Sequence, residues 1–464
     1  MNSKKLAIVI TDGVGFRNFV LSDFLAEAKS HFSEVVILSC LPASVYSGIT
    51  NCRIIELEVF EERFFTWFFR KAKELAHLQN HKQGNFGISD NLNTNKSKHN
   101  TSRGYATRFL FGLTSIFHSE KWISLFTKLQ QSTFKNNQVT KGYMEILDRE
   151  SPDQLFFTHQ RPPYIAPLVY AAQTLKIKTS TFIFSWDNLA SKGRMAADFD
   201  SYLVWSDLMQ NDLLRFYNKV APGAVEVVGT PQFEPYVLPR YATSREHFQH
   251  QFNLNPELPT VCFSCGDIST SKNDELYIET IAEALKNKEI PEFNFLVRTS
   301  PAEDSIRFKQ LSEKYSSIIW NSPDWHLSRL GHQENWSQRV PSVDDVKTLR
   351  AILEYSDISI NMLSTMSLDF MAFGKPVINP VFGTERNGLY NDGRFLKYEH
   401  IAYVVKSKAT KIARNKEELL QAIQAYLKNP EAQSEERKQL LAQQIGKPLE
   451  GTSERIAKAL SKWA

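Results

Sequence analysis

The chain has 464 residues, of which 42% are hydrophobic and 23% are charged, and its formal net charge is +4. This length exceeds what one hydrophobic core usually supports and predicts a globular protein of two domains. The balanced charge excludes the strongly basic composition of a nucleic-acid binder, and no apolar run approaches the roughly 20 residues of a membrane span.

The N-terminal half alternates short apolar runs with helical stretches. Residues 6–10 form the first run, which is shorter than the ~7–15 apolar residues of a signal peptide and therefore predicts a buried strand. Further strands are predicted at 34–39, 154–158, 179–184, 201–204 and 224–228. Continuously apolar strands that alternate with helices are typical of a parallel sheet covered on both faces.

Residues 79–103 interrupt this alternation, because they are rich in Asn, Ser and Lys and have no apolar period. They predict a mobile loop. The flanking segments 60–78 and 105–130 combine many Phe and Trp residues with Arg and Lys. Either these aromatic residues face the core of the first domain, or they form a surface for peripheral contact with a membrane that holds a lipid-linked acceptor.

The second half repeats the pattern, with strands predicted at 260–264, 293–298, 317–320, 358–361 and 377–380. The predicted fold class is α/β, with two Rossmann-like doubly wound parallel-sheet domains that face a cleft, since ligands bind outside the carboxyl ends of parallel strands. The expected divisions are an N-terminal domain over 1–238, a linker over 239–258 and a C-terminal domain over 259–445. Residues 446–464 are expected to form a helix that packs back on the N-terminal domain.

Residues 356–378 carry the strongest functional pattern. A strand leads to Ser364 and Thr365, which open a helix that ends at Gly374-Lys375-Pro376. The free amides of a helix N-terminus attract phosphate, and the two hydroxyls add donors. Asp369, one turn later, offers a carboxylate to a sugar hydroxyl. The alternative is that Ser364 only caps the helix.

This pattern of strand, Ser/Thr pair, acid and Gly-x-Pro resembles the donor-site turn of GT-B glycosyltransferases, especially the bacterial CDP-glycerol phosphotransferase-like and surface-polysaccharide branches. The matching residues are Ser364, Thr365, Asp369, Gly374 and Pro376. The UDP-N-acetylglucosamine 2-epimerases share a related turn, but the Gly pair and the Glu pair that they carry there are absent from this chain. Residues 185–193 resemble a signature of bacterial polysaccharide transferases, and the whole resemblance covers about residues 150–400.

The resemblance implies that the C-terminal domain binds a nucleotide-activated sugar. Arg298 matches a strand-ending Arg near the donor phosphates, although Ser300 stands where a His is usual. Arg298 either binds the diphosphate or forms a surface ion pair. Gly266 either allows close approach of the ligand or only makes a turn, and Trp320 either borders the nucleobase or packs in the core.

The segment after the strand at 377–380 supplies the last donor-side candidates. Glu385 and Arg386 either contact the sugar or phosphate or lie in a solvated loop.

Three strand ends of the first domain carry polar residues that we expect on the acceptor side. They are Asp12 with Gly13 and Gly15, His159 with Arg161, and Trp186 with Asp187 and Asn188. An inverting transferase needs a general base near the acceptor hydroxyl, and the candidates are Asp187, His159 and Asp12 in that order. Each also has a structural alternative: a turn cap for Asp187, bonds to loop amides for Asp12, and a buried hydrogen-bonded ring for His159.

No metal or cofactor is expected. Asp198-Phe199-Asp200 has a DxD pattern but directly precedes a strand, and Cys262 and Cys265 are interpreted as buried residues because no second ligand pair exists. The sequence thus predicts a cytoplasmic, metal-independent glycosyltransferase, which acts at the inner face of the plasma membrane if the aromatic segments bind lipid. It would move a sugar from a nucleotide-activated donor to a surface glycan or lipid-linked saccharide. A polyol-phosphate transferase and a catalytically silent binding module are the alternatives.

Overall fold

The computed structural model describes residues 4–383 and 392–464, which form two compact units. Unit 1 comprises residues 1–234, 327–340 and 445–464, and unit 2 comprises residues 235–326 and 341–444. The segment 327–340 thus belongs to unit 1, although the sequence analysis assigned it to the C-terminal domain.

Within the described residues, unit 1 contains a seven-stranded parallel sheet in the order β3-β2-β1-β4-β5-β6-β7. Its strands are β1 (Lys5–Ile10), β2 (Glu34–Ser39), β3 (Arg53–Glu56), β4 (Gln154–Phe157), β5 (Lys178–Phe182), β6 (Ser201–Val204) and β7 (Val225–Val227). The chain order reverses between β1 and β4. The carboxyl ends of these two strands therefore form the switch point at which doubly wound sheets bind ligands.

Helices flank this sheet. In chain order they are α1 (Gly13–Phe19), α2 (Phe24–His31), α3 (Phe64–His81), α4 (Phe86–Thr94), α5 (Ser102–Ile116), α6 (Glu120–Ser132), α7 (Gln138–Glu150), α8 (Ala166–Thr174), α9 (Asn188–Ser191) and α10 (Asp207–Phe216). The C-terminal helix α19 (Thr452–Trp463) packs against α2. Its apolar residues Ile456, Ala457 and Leu460 are fully buried, which is why an amphipathic terminal helix is held on this unit.

The predicted loop at 79–103 was wrong for most of its length. Helix α3 continues to His81, and α4 occupies the middle of the segment. The Asn85 side chain caps α4 by accepting a hydrogen bond from the Ile88 amide at 2.9 Å, and Ile88 and Leu92 are buried. Tertiary packing of these two apolar residues, one turn apart, stabilises this short helix. Two apolar residues in a polar segment are too few to show a helical period in the sequence.

Within the described residues, unit 2 contains a six-stranded parallel sheet in the order β10-β9-β8-β13-β14-β15. Its strands are β8 (Thr260–Ser264), β9 (Asn294–Arg298), β10 (Ile318–Asn321), β13 (Ile358–Ile360), β14 (Val377–Pro380) and β15 (Lys411–Ala413), while the short strands β11 (Trp325–Leu327) and β12 (Arg339–Pro341) bound segment 327–340. Its helices are α11 (Arg245–Gln251), α12 (Asp274–Lys286), α13 (Lys309–Lys314), α14 (Val343–Tyr355), α15 (Met366–Met371), α16 (Glu399–Ser407), α17 (Lys416–Lys428) and α18 (Ser434–Ile445). The order reverses between β8 and β13, which form the switch point of this unit.

The predicted fold class is confirmed, because both units are α/β with doubly wound parallel sheets. The interpretation of Cys262 and Cys265 as buried residues is also confirmed, and both are free thiols. Among residues 4–383 and 392–464, no helix combines the length and apolar content required to cross a membrane.

Candidate functional site

A buried Asp–His pair lies at the switch point of unit 1. Asp12 follows β1 and His159 follows β4, and these strands are direct neighbours in the sheet. The Nδ1 atom of His159 lies 2.8 Å from Oδ2 of Asp12. The Asp12 carboxylate also accepts hydrogen bonds from the Gly15 amide at 2.8 Å and the Thr11 hydroxyl at 2.9 Å. Three donors on one buried carboxylate fix its position within the turn.

The surroundings of the pair determine its protonation. Burial alone would raise the pKa of Asp12, but the hydrogen bond and charge of His159, with the bonds from Gly15 and Thr11, outweigh it and lower the pKa. Burial lowers the pKa of His159 below its ordinary value of 6.5, and Asp12 offsets only part of this effect. Near neutral pH the pair is therefore a carboxylate and a neutral imidazole.

This protonation state determines which ring nitrogen of His159 can react. The Nδ1–H donates to Asp12, so the lone pair of the neutral ring lies on Nε2. Among the described residues, Nε2 has no hydrogen-bond partner. A neutral imidazole with an oriented, unpaired Nε2 is suited to accept a proton.

Aromatic rings contact His159, and a further acid, Glu334, lies close enough to its partner Asp12 for their charges to interact. Phe184 lies parallel to the His159 ring with the centroids 3.9 Å apart, and Trp336 meets it edge-on at 6.1 Å. Burial raises the pKa of the nearby Glu334, while the positive charge of Arg70 lowers it. No local sequence pattern indicates these neighbours, because Glu334 and Trp336 come from segment 327–340, distant along the chain.

Segment 327–340 is attached to unit 1 by polar contacts. The Arg329 guanidinium donates to the Glu56 carboxylate at 2.6 Å, and the Gln333 amide donates to the Phe60 carbonyl at 2.9 Å. Its end also lies directly on the β1–α1 turn. A Cβ atom at Gly13 would overlap the backbone carbonyl there, so only glycine fits.

Gly15 permits a second close approach. A Cβ atom at this position would overlap the Thr158 hydroxyl, whose oxygen bonds the carbonyl of Val9 at 3.0 Å. The predicted acceptor-side residues Gly13 and Gly15 thus have a steric role in assembling the turn that carries Asp12.

We expect the Gly15→Ala variant to lose about 1–3 kcal/mol of unfolding free energy, because the added methyl group displaces Thr158 in a packed core. Gly142→Ala in α7 is the matched control, since nothing lies within 4 Å of the added Cβ. That control is expected to gain about 0.5–1 kcal/mol from helix propensity. Urea unfolding of both variants measures the difference, and equal effects would contradict the steric role.

Asp187, the first candidate for the base, has close partners of its own. It precedes α9, where its carboxylate accepts from the Asn188 amide at 3.0 Å and lies 3.3 Å from the Lys192 ammonium. Asn188 in turn accepts from Gln160 at 2.9 Å, which ties this turn to the end of β4. The charge of Asp187 also acts on His159 by raising its pKa. These contacts and this charge effect place Asp187 near the pair.

Two further predicted residues lie in the same part of unit 1. Arg161 donates to the Gly193 carbonyl at 3.0 Å, and Trp186 is buried. Their roles toward an acceptor stay predictions.

At the switch point of unit 2, Asn361 organises the turn that follows β13. Asn361 is fully buried, and its side-chain oxygen Oδ1 accepts hydrogen bonds from the Ser364 amide and the Ser367 hydroxyl, each at 3.0 Å. The Ser364 hydroxyl accepts from the Met366 amide at 3.1 Å, and Thr365 is half-buried at the start of α15. The predicted Ser364-Thr365 turn therefore exists and is held by an asparagine that the sequence analysis did not single out.

Asp369 lies deeper than its predicted role requires. Its side chain is buried and accepts a hydrogen bond from the Tyr236 hydroxyl. The contact with a sugar or ribose hydroxyl stays a prediction, and in this structure the carboxylate stabilises α15 against the start of unit 2.

Arg298 forms neither a surface ion pair nor an exposed anion site. Its buried guanidinium donates to both carboxylate oxygens of Asp345, at 3.0 and 2.8 Å, and to the Asn321 amide oxygen at 2.5 Å. Asp345 also accepts from the Trp325 indole at 2.9 Å. These bonds bind β9, β10 and α14 together, so the diphosphate contact predicted for Arg298 would have to be made by a group that already has partners.

Gly266 follows β8 on the other side of the same switch point. Its amide donates to Asp274 at 2.9 Å, its carbonyl accepts from Arg307 at 2.7 Å, and a Cβ atom would overlap the Ser271 side chain. The glycine is therefore required by a compact turn, and its contact with a donor stays a prediction.

Trp320 packs against Phe308 with ring centroids 5.6 Å apart, beside the core of unit 2. This contact favours core packing over a nucleobase contact. Glu385 and Arg386 lie outside the described residues.

Comparison with known proteins shows similarity in fold. No protein-family model and no curated protein matches the sequence. The UDP-GlcNAc 2-epimerase from Neisseria meningitidis, solved with UDP-GlcNAc, has a TM-score of 0.55 and 12% identity, covering 99% of this chain and 100% of that one. A glycosyltransferase from Rickettsia africae has a TM-score of 0.53 and 12% identity, covering 100% and 99%. The UDP-GlcNAc 2-epimerase from Methanocaldococcus jannaschii has a TM-score of 0.51 and 11% identity, covering 99% of each. At such identities the likeness establishes the fold alone, and that fold is GT-B.

Proposed function

We propose that this chain is a glycosyltransferase that moves a sugar from a nucleotide-activated donor to a hydroxyl of a surface glycan or lipid-linked saccharide. The observation that carries the proposal is the Asp12–His159 pair, in which a buried carboxylate orients a neutral imidazole with an unpaired Nε2. Such a group is a general base for an acceptor hydroxyl. The shared fold with nucleotide-sugar enzymes supports the class of donor.

In the proposed reaction, Nε2 of His159 takes the proton of the acceptor hydroxyl as its oxygen attacks the anomeric carbon. The bond from that carbon to the nucleotide phosphate breaks, and Asp12 stabilises the imidazolium that forms. The Thr365 amide and hydroxyl stabilise the negative charge of the leaving phosphate, because the Ser364 and Met366 amides already donate within the turn. This task falls to the turn in preference to Arg298, because the Arg298 guanidinium already pairs with Asp345.

A thermal-shift series with UDP, GDP, CDP and CMP tests donor binding. A ligand present at 100 times its Kd stabilises the native protein by about 2.7 kcal/mol, so a single matching nucleotide should stand out. A response to CMP alone would select a monophosphate-activated sugar, and no response to any nucleotide would contradict the proposal. Donor turnover with and without added Mg²⁺ then tests the expected metal independence of catalysis.

Nucleotide-sugar epimerisation is the second candidate, because two of the structures with this fold are UDP-GlcNAc 2-epimerases. An epimerase converts the donor without any acceptor, whereas a transferase releases nucleotide as acceptor is consumed. NMR of UDP-GlcNAc incubated with the protein alone separates the two. Product analysis for a phosphodiester tests the polyol-phosphate alternative, and nucleotide binding without turnover would indicate a silent module.

We also propose that this chain contacts a membrane peripherally. Five apolar side chains are exposed on α3 and α5, namely Phe64, Phe65, Tyr105, Phe109 and Ile116, and we call this set the aromatic patch. Ring contacts through Phe68 connect Phe64 and Phe65 to Phe109. Arg103 and Arg108 flank the aromatic patch, each over an aromatic ring. Other members of these helices, such as Trp67 and Leu110, are buried, so the core interpretation holds for one helix face, and the exposed face is the one that we propose for membrane contact. An exposed aromatic face with cations suits an anionic lipid surface at which a lipid-linked acceptor is presented.

Some cations that the sequence placed in this surface serve the fold instead. Arg70 pairs with Glu62 and Glu74 at 2.7 Å each, and the buried Lys73 donates to a backbone carbonyl. Burial and strong local partners remove these charges from the surface.

We expect the double variant Phe65→Ser with Phe109→Ser to bind phosphatidylserine vesicles more than about tenfold more weakly. Burying one Phe contributes about 1.5–3 kcal/mol, and a factor of ten in affinity corresponds to about 1.4 kcal/mol. Ile306→Ser is the control, because Ile306 is 79% exposed but belongs to unit 2. Vesicle co-sedimentation measures both, and an equal loss in both variants, or no binding by the unmodified protein, would contradict membrane contact through this patch.

A further inference from the structure

Two histidines of α3 and a glutamate of α6 form a cluster that the proposed reaction does not use. His77 and His81 are one helical turn apart, and Glu120 is the first residue of α6. One potential ligand atom from each residue lies within 4.8 Å of the other two. Histidines four apart share one helix face, which is a spacing that divalent metals use.

His77 supplies the second observation. Its side chain is fully buried, and neither ring nitrogen has a hydrogen-bond partner among the described residues. A buried polar ring is normally satisfied, because leaving its donor and acceptor unpaired opposes folding. The nearest rings, those of His81 and Tyr217, contact it at centroid distances of 4.7 and 5.2 Å and provide packing only.

We propose that His77, His81 and Glu120 bind a zinc ion that joins α3 to α6. Two imidazoles and one carboxylate are a ligand set that zinc accepts, with a fourth position left for water. The proposal concerns a structural site in unit 1, and it stands or falls independently of the transferase proposal.

The present spacing requires a small adjustment on binding. The Nε2 atom of His81 lies 3.9 Å from Oε1 of Glu120, whereas metal bonds of about 2.0–2.1 Å place tetrahedral ligands roughly 3.3 Å apart. Nε2 of His81 also lies 3.2 Å from the side-chain amide of Asn80, and the ion would replace this contact.

Arg194 opposes the ion and also orients one ligand. Its guanidinium donates to Glu120 at 3.1 and 3.3 Å and lies 3.3 Å from Asp198, which shares its charge. A carboxylate has about four lone-pair positions, so Glu120 can bind a cation while it keeps this bond. A hydrogen-bonded carboxylate is a common arrangement around metal ligands.

The experiment uses the full chain, stripped with chelator and then incubated with ZnCl2 or CoCl2. We expect one zinc per chain after gel filtration, measured by mass spectrometry of the metal, and visible d–d absorption bands from bound cobalt. His81→Gln and Glu120→Gln should each lower zinc affinity more than about tenfold, because loss of even an outer partner costs 10–100-fold. The control is His118→Gln, which alters a half-buried histidine outside the cluster.

Two results would overturn the site. One is the absence of bound zinc and of cobalt bands in the unmodified protein. The other is zinc affinity in His81→Gln and Glu120→Gln equal to that of the control. In either case His77 is a neutral packing residue. Circular dichroism of each variant establishes that the comparison is made on folded protein.

Discussion

Replacing His159 by Gln is expected to lower turnover by about 10²–10⁴-fold while nucleotide binding stays unchanged. The reason is that Nε2 is the proton acceptor, and an uncharged amide cannot take a proton at neutral pH. The donor turn lies in unit 2, so a nucleotide-induced thermal shift should survive the substitution. Steady-state kinetics and the thermal shift together separate loss of the base from loss of the fold.

His247→Gln is the matched control, because His247 is exposed on α11. It should retain full turnover. Near-normal turnover of the His159→Gln enzyme would eliminate His159 as the base and would leave Asp187 as the next candidate. In that case Asp187→Asn would carry the large loss.

Asp12 acts through His159, and its variant has a separate signature. Asp12→Asn is expected to lower turnover, again by about 10²–10⁴-fold, because an amide no longer holds the Nδ1–H tautomer and no longer stabilises the imidazolium. In the unmodified enzyme activity falls as the pH drops through the pKa of His159, which lies below 6.5. Asp12 raises that pKa, so its removal should move the acid limb of kcat/KM to lower pH. A purely structural role for Asp12 would lower the rate without moving the limb.

The sequence predicts the two residues of the Asp–His site but not their contact, because that contact depends on the order of strands in the sheet. Continuously apolar runs identified β1 and β4, and the polar residues after each run identified Asp12 and His159 as separate candidates. Their direct hydrogen bond depends on β1 lying beside β4, which follows from the strand order and not from either motif. The sequence placed Asp187 first among the three candidates, whereas burial and hydrogen-bond geometry favour His159.

Long-range contacts explain most of what the sequence did not predict. Trp336 reaches the site from segment 327–340, and no local pattern there indicates a partner in the first half of the chain. The short strands β3 and β15 were also missed, since three or four residues at a sheet edge carry little periodicity. In unit 2, the Asp345 amide donates to the Ser342 hydroxyl at the start of α14, while its carboxylate pairs with Arg298, which is distant along the chain.

The second large effect concerns this Arg298–Asp345 pair. Asp345→Asn is expected to destabilise unit 2 by about 3–5 kcal/mol, because it leaves a buried guanidinium without its counter-charge. Asp344→Asn is the control, since the neighbouring carboxylate is 84% exposed and should change stability by no more than about 0.5 kcal/mol. Hydrogen exchange of the β9 and β10 amides across a urea series reports on this unit. Equal stability of the two variants would show that solvent reaches the pair.

A double variant decides whether Arg298 also binds the donor. Replacing Arg298 by Met and Asp345 by Leu removes both charges, and well-packed apolar residues of similar volume restore much of the stability that one unpaired charge removes. If Arg298 is purely structural, this protein should recover stability relative to Asp345→Asn and keep its nucleotide-induced thermal shift. Recovered stability without that shift would mean that the guanidinium contacts the diphosphate, as the family resemblance implies, and that ligand binding must draw it partly away from Asp345. The pair is thus the point in unit 2 at which a requirement of the fold and a requirement of donor binding can be separated by measurement.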